Sequence, residues 1–226
     1  MTKPKNNKAV VLLSGGLDSA TTLYVALHQG YWPLALIFDY GQRHRKEIIR
    51  AKAIAKRAGC PCKVVKLSFP WKGSALTDRA MDIAPHRPFK RRQEAIPSTY
   101  VPSRNIIFLS VAASWAEVIG AQAIFIGANA IDYSGYPDCR PKFLNAFQTM
   151  LSLGTKTGVE NKKIKICAPL LRKTKQEIIR LGVSLNVPYR LTWSCYQGKQ
   201  KPCGVCDSCQ LRQKGFAALK MKDPGL

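Results

Sequence analysis

Six residues near the start of the chain, Ser14-Gly15-Gly16-Leu17-Asp18-Ser19, have the composition of an anion-binding loop. They connect an apolar run at 9–13, which predicts a buried strand, to a segment with helical spacing at 19–29. Two glycines allow a tight turn, and the first N–H groups of a helix favour a phosphate. Because a carboxylate repels a phosphate, Asp18 indicates a bridging Mg²⁺. The alternative is an ordinary turn in which Asp18 caps the helix.

Four of the eight cysteines, Cys195, Cys203, Cys206 and Cys209, lie near the C-terminal end with the spacing C-x7-C-x2-C-x2-C. We expect no secretion signal, because the apolar run at 9–13 is too short for one. The cluster therefore favours metal binding over disulfides. Four thiolates suit a closed, tetrahedral, structural Zn²⁺ site, and we expect one zinc per chain. An iron–sulfur cluster is the alternative.

Polar loops follow the other predicted strands. Lys175, after the strand at 164–168, can reach a phosphate as a point charge, although an exposed lysine on a helix face is the alternative. Tyr40, Gln42 and Arg43 follow the strand at 34–38. No metal-ligand cluster accompanies His44, so we expect it to form hydrogen bonds or to lie beside a phosphate.

The loop at 127–140 carries carboxylates, tyrosines and an amide, which offer stacking faces and acceptors for a guanine-like base. Arg104 and Asn105 precede a long apolar helix, where an Arg can pair with a carboxylate or phosphate, or where Asn105 only caps the helix. The candidates for substrate binding are Arg104, Asn105, Asp132, Tyr133, Ser134, Gly135 and Asp138.

Strands alternate with helices along the chain, which predicts an α/β fold with a doubly wound parallel sheet. In such sheets ligands bind beyond the carboxyl ends of the strands, where the polar loops should meet. The predicted strands are 9–13, 34–38, 63–67, 123–126 and 164–168, and the predicted helices are 19–29, 45–58, 106–119, 142–153 and 175–181. We expect a nucleotide-binding domain at 1–191, with an irregular excursion at 69–102, and a zinc-binding tail at 192–226 packed on it.

The composition excludes two broad classes. Apolar residues make up 46% of the chain, which is too many for a disordered protein, and no apolar run reaches the length of a membrane span. A soluble, cytoplasmic protein is therefore expected. The net charge of +23 suggests an acidic partner, yet weak aromatic interleaving in the basic segments argues against direct tRNA binding without excluding it.

The Ser-Gly-Gly-x-Asp-Ser loop after the first strand resembles that of the PP-loop ATP pyrophosphatase superfamily. The resemblance implies an adenine-nucleotide α-hydrolase fold, cleavage of ATP between its α and β phosphates, and a phosphate-binding lysine at Lys175. It further implies that Asp18 and Lys175 are catalytic. The resemblance also implies a set of nucleotide-binding residues, which are Leu13, Ser14, Gly15, Gly16, Leu17, Asp18, Ser19, Ala20, Thr21, Thr22, Leu23, Tyr40, Gln42 and Arg43.

Together with the loop at 127–140 and the segments at 191–196 and 211–216, these motifs resemble the QueC family of 7-cyano-7-deazaguanine synthases, over 10–216 of the chain. This resemblance implies an ATP-dependent carbon–nitrogen ligase of queuosine biosynthesis. Its substrates would be 7-carboxy-7-deazaguanine and ammonia, which would give the nitrile, AMP and diphosphate through adenylated intermediates. A homodimer is implied as well.

Three other functions stay open. A PP-loop enzyme acting on tRNA, such as a thiolase or lysidine synthetase, would suit the charge, but no extra tRNA-binding domain is evident. The others are a zinc-containing nucleic-acid-binding protein and a relative that attaches a deazaguanine-type group to a protein. No general base stands out in the sequence, and 69–95 carries no motif that we assign.

Overall fold

The computed structural model describes residues 7–84, 96–130 and 135–225, and a parallel β-sheet lies at the centre of the fold. Its strands are β1 (Lys8–Leu12), β2 (Trp32–Asp39), β3 (Cys62–Lys66), β4 (Ala123–Phe125) and β5 (Lys165–Cys167). They lie in the order β3-β2-β1-β4-β5, and each neighbouring pair is parallel. The central strands are buried on both faces, which explains their continuous apolar sequence.

Helices cover both faces of this sheet. They are α1 (Leu17–His28), α2 (Lys46–Arg57), α3 (Arg104–Ile119), α4 (Pro141–Gly154), α5 (Lys156–Val159), α6 (Lys175–Ser184) and α7 (Asp207–Ala217). Side chains of α1, α2, α6 and α7 pack with Val11 and Phe125 on one face, while α3 and α4 pack with Val10 and Ile124 on the other. The predicted doubly wound sheet is thus confirmed. No helix of the described residues is both long and apolar enough to cross a bilayer.

The strand order places a crevice beside β1. The chain moves outward from β1 to β2 and β3, and then returns to β4 on the other side of β1. Connections that leave in opposite directions open a gap at the carboxyl ends of the strands, where ligands bind in folds of this kind. The loop after β1 and the loop after β4 lie at this gap.

Helix boundaries differ from the predicted ones for local reasons. Helix α1 begins at Leu17, two residues before the predicted start, because Gly16 is its extended N-cap and accepts the first helical hydrogen bond from Ala20 N–H. Helix α6 continues to Ser184, past the predicted end at residue 181. A Cβ on Gly182 would overlap the ring of Tyr189, so this glycine serves close packing and does not end the helix.

The cysteine-rich tail contains a helix that the sequence did not predict, α7. Its Phe216 is buried in the same core as Ile178 and Ile179 of α6, so the tail packs on the sheet layer. The domain boundary at 191/192 stays a prediction. Of the predicted excursion, 69–84 and 96–102 contain neither helix nor strand, and 85–95 lie outside the described residues.

Candidate active site

The loop between β1 and α1 is shaped by its own two serines. Ser19 Oγ donates to Gly16 O at 3.1 Å and accepts from Ser14 N–H at 3.2 Å. Ser14 Oγ in turn accepts from Gly16 N–H at 3.2 Å. The first N–H groups of a helix have no acceptor within the helix, so those of Leu17, Asp18 and Ser19 remain for a ligand. With the helix dipole, they make this end of α1 a site for an anion.

Two glycines bring other elements close to the loop. Gly15 has φ +89°, and a Cβ there would overlap the backbone of Glu47, so the first turn of α2 packs directly on the loop. Gly127, after β4, would place a Cβ 3.2 Å from Ser19 N. Larger residues at either position would push the neighbouring backbone away from the crevice.

Asp18 and Lys175 form an ion pair at the N-terminus of α1. Lys175 Nζ lies 2.7 Å from both carboxylate oxygens of Asp18, and Asn129 Nδ2 donates to the same carboxylate at 3.2 Å. Lys175 is the first residue of α6, whose N-terminus is stabilised by a capping box between Thr174 and Glu177. The structure therefore brings together the two residues that the sequence predicted as catalytic.

Several predicted nucleotide-binding residues lie along this crevice, and others face the core. Leu13, Ser14, Gly16, Leu17, Ser19, Tyr40 and Gln42 line one cavity with Asp18 and Lys175. Ala20, Thr21, Thr22 and Leu23 are fully buried in α1, where Thr21 Oγ1 donates to Leu17 O. Arg43 instead donates to the carbonyls of Asp78 and Met81, in the irregular excursion. Nucleotide contacts by these residues stay a prediction.

The turn after β2 is held by Gln42. Its amide donates to Phe38 O at 3.1 Å and accepts from Tyr40 N–H at 2.8 Å, which sets the Tyr40 ring against the cavity. Burial raises the pKa of Tyr40, while the nearby Arg104 lowers it and Glu47 raises it. Tyr40 is therefore a neutral phenol at the wall of the site.

Arg104 brings a positive charge into the cavity. Its guanidinium donates to Tyr40 Oη at 3.3 Å and lies 5.9 Å from the centre of the same ring. Burial lowers the pKa of Arg104, but Tyr40, Tyr136 and Cys139 raise it, so the pKa stays above its ordinary value. No carboxylate of the described residues forms an ion pair with Arg104. The cation is thus available to an acidic ligand.

Asp138 lies behind Asn105. Its carboxylate accepts from Asn105 N–H at 2.9 Å, at the N-terminus of α3, and the side chain is buried. Asn105 lines the cavity, and its Nδ2 donates to Cys139 Sγ at 3.1 Å. Any effect of Asp138 on a ligand therefore acts through Asn105. Gly135 is not among the residues that line the cavity, and Asp132, Tyr133 and Ser134 lie outside the described residues.

The cavity also contains residues that sequence reasoning assigned elsewhere or missed. Trp193 and Tyr196, from the tail, line it, and Trp193 N–H donates to Gly15 O at 2.9 Å. Glu47 was not singled out, although its place one helical turn after His44 could have suggested a pair. His44 Nε2 lies 3.2 Å from Glu47 Oε2, and both residues line the cavity.

The four cysteines of the tail form a single cluster. Their sulfur atoms all lie within 4.8 Å of one another, and Cys203 Sγ is 4.0 Å from Cys209 Sγ. None of the four is in a disulfide. Hydrogen bonds from the thiols of Cys206 and Cys209 lower the pKa of Cys195. The structure thus gathers the predicted ligands into a site that could hold a metal ion.

The donor set fits zinc. Zn–S bonds of about 2.3 Å in a tetrahedron place the sulfurs about 3.8 Å apart, close to the spacing in this cluster. Backbone N–H groups point to the sulfurs, from Cys203 to Cys195 Sγ at 3.3 Å and from Cys206 to Cys203 Sγ at 3.4 Å. Such hydrogen bonds stabilise thiolate ligands. An iron–sulfur cluster would hold some of the four thiolates farther apart, because they would bind different irons that are bridged by sulfide.

These features define a class of protein. A parallel sheet with a Ser-Gly-Gly-x-Asp-Ser loop at its switch point defines the PP-loop class of fold, and here a four-cysteine tail is added to it. The chain is similar in structure to NMN synthetase from Francisella tularensis, with a TM-score of 0.52 and 14% identity, covering 97% of this chain and 79% of that one. At this identity, the similarity concerns the fold alone.

Sequence comparisons identify the family. The family model described as queuosine biosynthesis protein QueC matches residues 8–220, and the chain belongs to this family. A protein of Thermoplasma volcanium named 7-cyano-7-deazaguanine synthase is 55% identical over 218 residues, covering 96% of this chain and 89% of that protein. A protein of the same name from Anaeromyxobacter is 51% identical over 229 residues, covering 100% and 98%.

Proposed function

We propose that this chain is an ATP-dependent carbon–nitrogen ligase that converts 7-carboxy-7-deazaguanine and ammonia into 7-cyano-7-deazaguanine. The observation that carries the proposal is one cavity that joins an anion-binding helix end, the Asp18–Lys175 pair and the cationic Arg104. The name of the relatives supports the product, since they are called 7-cyano-7-deazaguanine synthases.

The chemistry explains the need for ATP. Ammonia does not displace an oxide leaving group from a carboxylate at neutral pH, so the oxygen must first become a better leaving group. Attack of the carboxylate on the α-phosphorus of ATP gives an acyl adenylate and diphosphate, and ammonia then displaces AMP to give the amide. A second adenylation, at the amide oxygen, allows AMP to leave with formation of the nitrile. Each nitrile therefore consumes two ATP.

The residues of the loop suit the phosphates of ATP. N–H groups at the start of α1 would bind them, and Lys175 would neutralise the charge that develops on the departing diphosphate. The loop is held rigid by Ser14 and Ser19 before any ligand binds, which lowers the cost of ordering it. Asp18, a carboxylate beside the phosphate site, is the residue that would hold Mg²⁺, which supplies further neutralisation of the diphosphate.

Arg104 and Asn105 suit the other substrate. A guanidinium without an acidic partner among the described residues would pair with the carboxylate of 7-carboxy-7-deazaguanine. Asn105, held by Asp138, would donate or accept at the edge of the base. Asp132, Tyr133 and Ser134 remain candidates for stacking and hydrogen bonds to the ring.

The zinc site has a structural role in this proposal. Zinc on Cys195, Cys203, Cys206 and Cys209 would fix the tail, and with it Trp193 and Tyr196 at the wall of the cavity. From the family resemblance we also propose a homodimer. From the sequence we propose that the protein acts in the cytoplasm on free small molecules, and the proposed reaction does not require tRNA.

Measuring the ratio of the reaction products tests the proposed function. The purified protein is incubated with ATP, Mg²⁺, ¹⁵N-ammonium and 7-carboxy-7-deazaguanine, and mass spectrometry measures AMP and nitrile. We expect ¹⁵N in the nitrile and two AMP for each nitrile formed. Asp18→Asn should abolish AMP formation with an unchanged melting temperature, whereas Asp82→Asn, at an exposed carboxylate, should have no effect. Absence of nitrile with the wild-type protein would refute the assignment.

A further inference from the structure

The proposed reaction requires removal of protons from nitrogen. When the acyl adenylate reacts with NH₄⁺, the products are the amide, AMP and two protons, because the nitrogen keeps two of its four hydrogens. In the second half the amide oxygen attacks the α-phosphorus and diphosphate leaves. The nitrogen then loses both hydrogens, their bonding electrons form the second and third C–N bonds, and the C–O bond to AMP breaks. A group that accepts protons is therefore needed beside the substrate.

His44 has the environment of such a group. The side chain is only 3% exposed, lines the same cavity as Arg104 and Lys175, and lies 3.2 Å through Nε2 from Glu47 Oε2. Its other nitrogen, Nδ1, is buried and has no hydrogen-bond partner among the described residues. A buried ring nitrogen without a hydrogen-bond partner destabilises the folded protein unless a ligand or a water molecule supplies that hydrogen bond. This atom therefore points to a role in binding or proton transfer.

The contact with Glu47 selects the state of the ring. A carboxylate beside Nε2 stabilises the tautomer with its proton on Nε2, and Nδ1 then carries the lone pair. The carboxylate also stabilises the imidazolium that forms when Nδ1 takes a proton, as in other histidine–carboxylate pairs. Helix α2 packs on Gly15, so His44 and Glu47 are held at a fixed place relative to the loop between β1 and α1.

We propose that His44 is the catalytic proton acceptor for the nitrogen steps and that Glu47 is its positioning residue. The inference rests on the proposed function, and it assigns the base that the sequence did not reveal. His44 takes a proton from ammonium, which frees the lone pair of ammonia to attack the acyl carbon, and then takes the second proton that nitrogen loses as the amide forms. In the second half it takes the two protons of the adenylated amide in turn, and it releases each proton to solvent before it takes the next. Adenylation itself moves no proton, so His44 has no part in it.

Several titratable and charged groups share these surroundings. Tyr196 of the tail lies 5.9 Å from the imidazole between ring centroids. Lys46 is next but one in the chain, and its Nζ lies 4.8 Å from the Trp193 ring. The other ionisable residues of the cavity are Asp18, Tyr40, Glu47, Arg104, Tyr136, Cys139, Lys175 and Arg212.

Two reactions separate the steps. Exchange of labelled diphosphate into ATP, measured with 7-carboxy-7-deazaguanine and without ammonia, reports adenylation alone. Nitrile formation with saturating ammonium reports the nitrogen steps. For His44→Gln we expect exchange within about twofold of the wild type and nitrile formation lowered about 10²-fold.

Two further variants keep the outcome decisive. His28→Gln, at an exposed histidine at the end of α1, is the matched control and should match the wild type in both reactions. Glu47→Gln leaves the imidazole in place and should lower nitrile formation at least tenfold with exchange intact; it carries the test if His44→Gln loses its native circular dichroism spectrum. Equal losses in both reactions, or an unchanged nitrile rate, would overturn the role of His44. Absence of exchange in the wild type would instead contradict the proposed function.

Discussion

Replacing Gly15 by alanine tests the contact between helix α2 and the loop that joins β1 to α1. Gly15 has φ +89°, and a Cβ there would overlap Glu47 O and lie 2.8 Å from Ala51 N. A left-handed conformation costs alanine about 1–2 kcal/mol, and forcing α2 away from the loop adds about 1–3 kcal/mol. The free energy of unfolding should therefore fall by about 2–5 kcal/mol. For a chain of this size, each kcal/mol corresponds to about 2–4 °C in melting temperature.

Gly30→Ala is the matched control for this experiment. Gly30 has φ +79°, but no neighbouring atom lies within 4 Å of the position that a Cβ would take, so alanine there meets only the backbone cost. Thermal unfolding followed by circular dichroism would compare the two variants, and ATP binding would be measured by titration calorimetry. We expect Gly15→Ala to be the less stable by about 1–3 kcal/mol and to lose at least tenfold in ATP affinity, with the affinity of Gly30→Ala unchanged.

Equal melting temperatures for the two alanine variants would refute the argument that α2 packs directly on the loop. A destabilised Gly15→Ala that still bound ATP with wild-type affinity would instead show that the shape of this loop does not determine nucleotide binding.

Four further outcomes are expected. Lys175→Gln should lower AMP formation about 10²–10³-fold at an unchanged melting temperature, with exposed Lys162→Gln as its control. Arg104→Gln should raise KM for the carboxylate substrate about 10–100-fold and leave KM for ATP within twofold, since one charge-assisted contact is lost; an equal rise in both would argue against a carboxylate partner. Cys206→Ser should lower bound zinc, measured by mass spectrometry, together with the melting temperature, whereas exposed Cys62→Ser should change neither. Asp223→Asn should lower the free energy of unfolding by about 3–5 kcal/mol in urea titrations, because it leaves Arg212 buried without its carboxylate partner.

Local patterns in the sequence determine the fold and the position of the loop. Apolar runs such as 9–13 and helical spacing are read over a few neighbouring residues, and alternation of the two permits few arrangements besides a parallel sheet. The two glycines and the four cysteines are likewise short-range signals, because a turn and a metal site each need certain residue types at close spacing. The sheet order then brings Asp18 and Lys175 together across 157 residues.

Only the tertiary structure decided which side chains share the cavity. Trp193 and Tyr196 lie close to the cysteines of the cluster in the sequence, yet the packing of the tail places them in the wall of the candidate active site. Asp138 accepts a hydrogen bond from Asn105 N–H, 33 residues before it, at the N-terminus of α3, and Arg43 donates to the carbonyls of residues 78 and 81. Each of these contacts depends on partners distant in the chain, and side-chain direction follows from the packing of whole elements, which no local pattern contains.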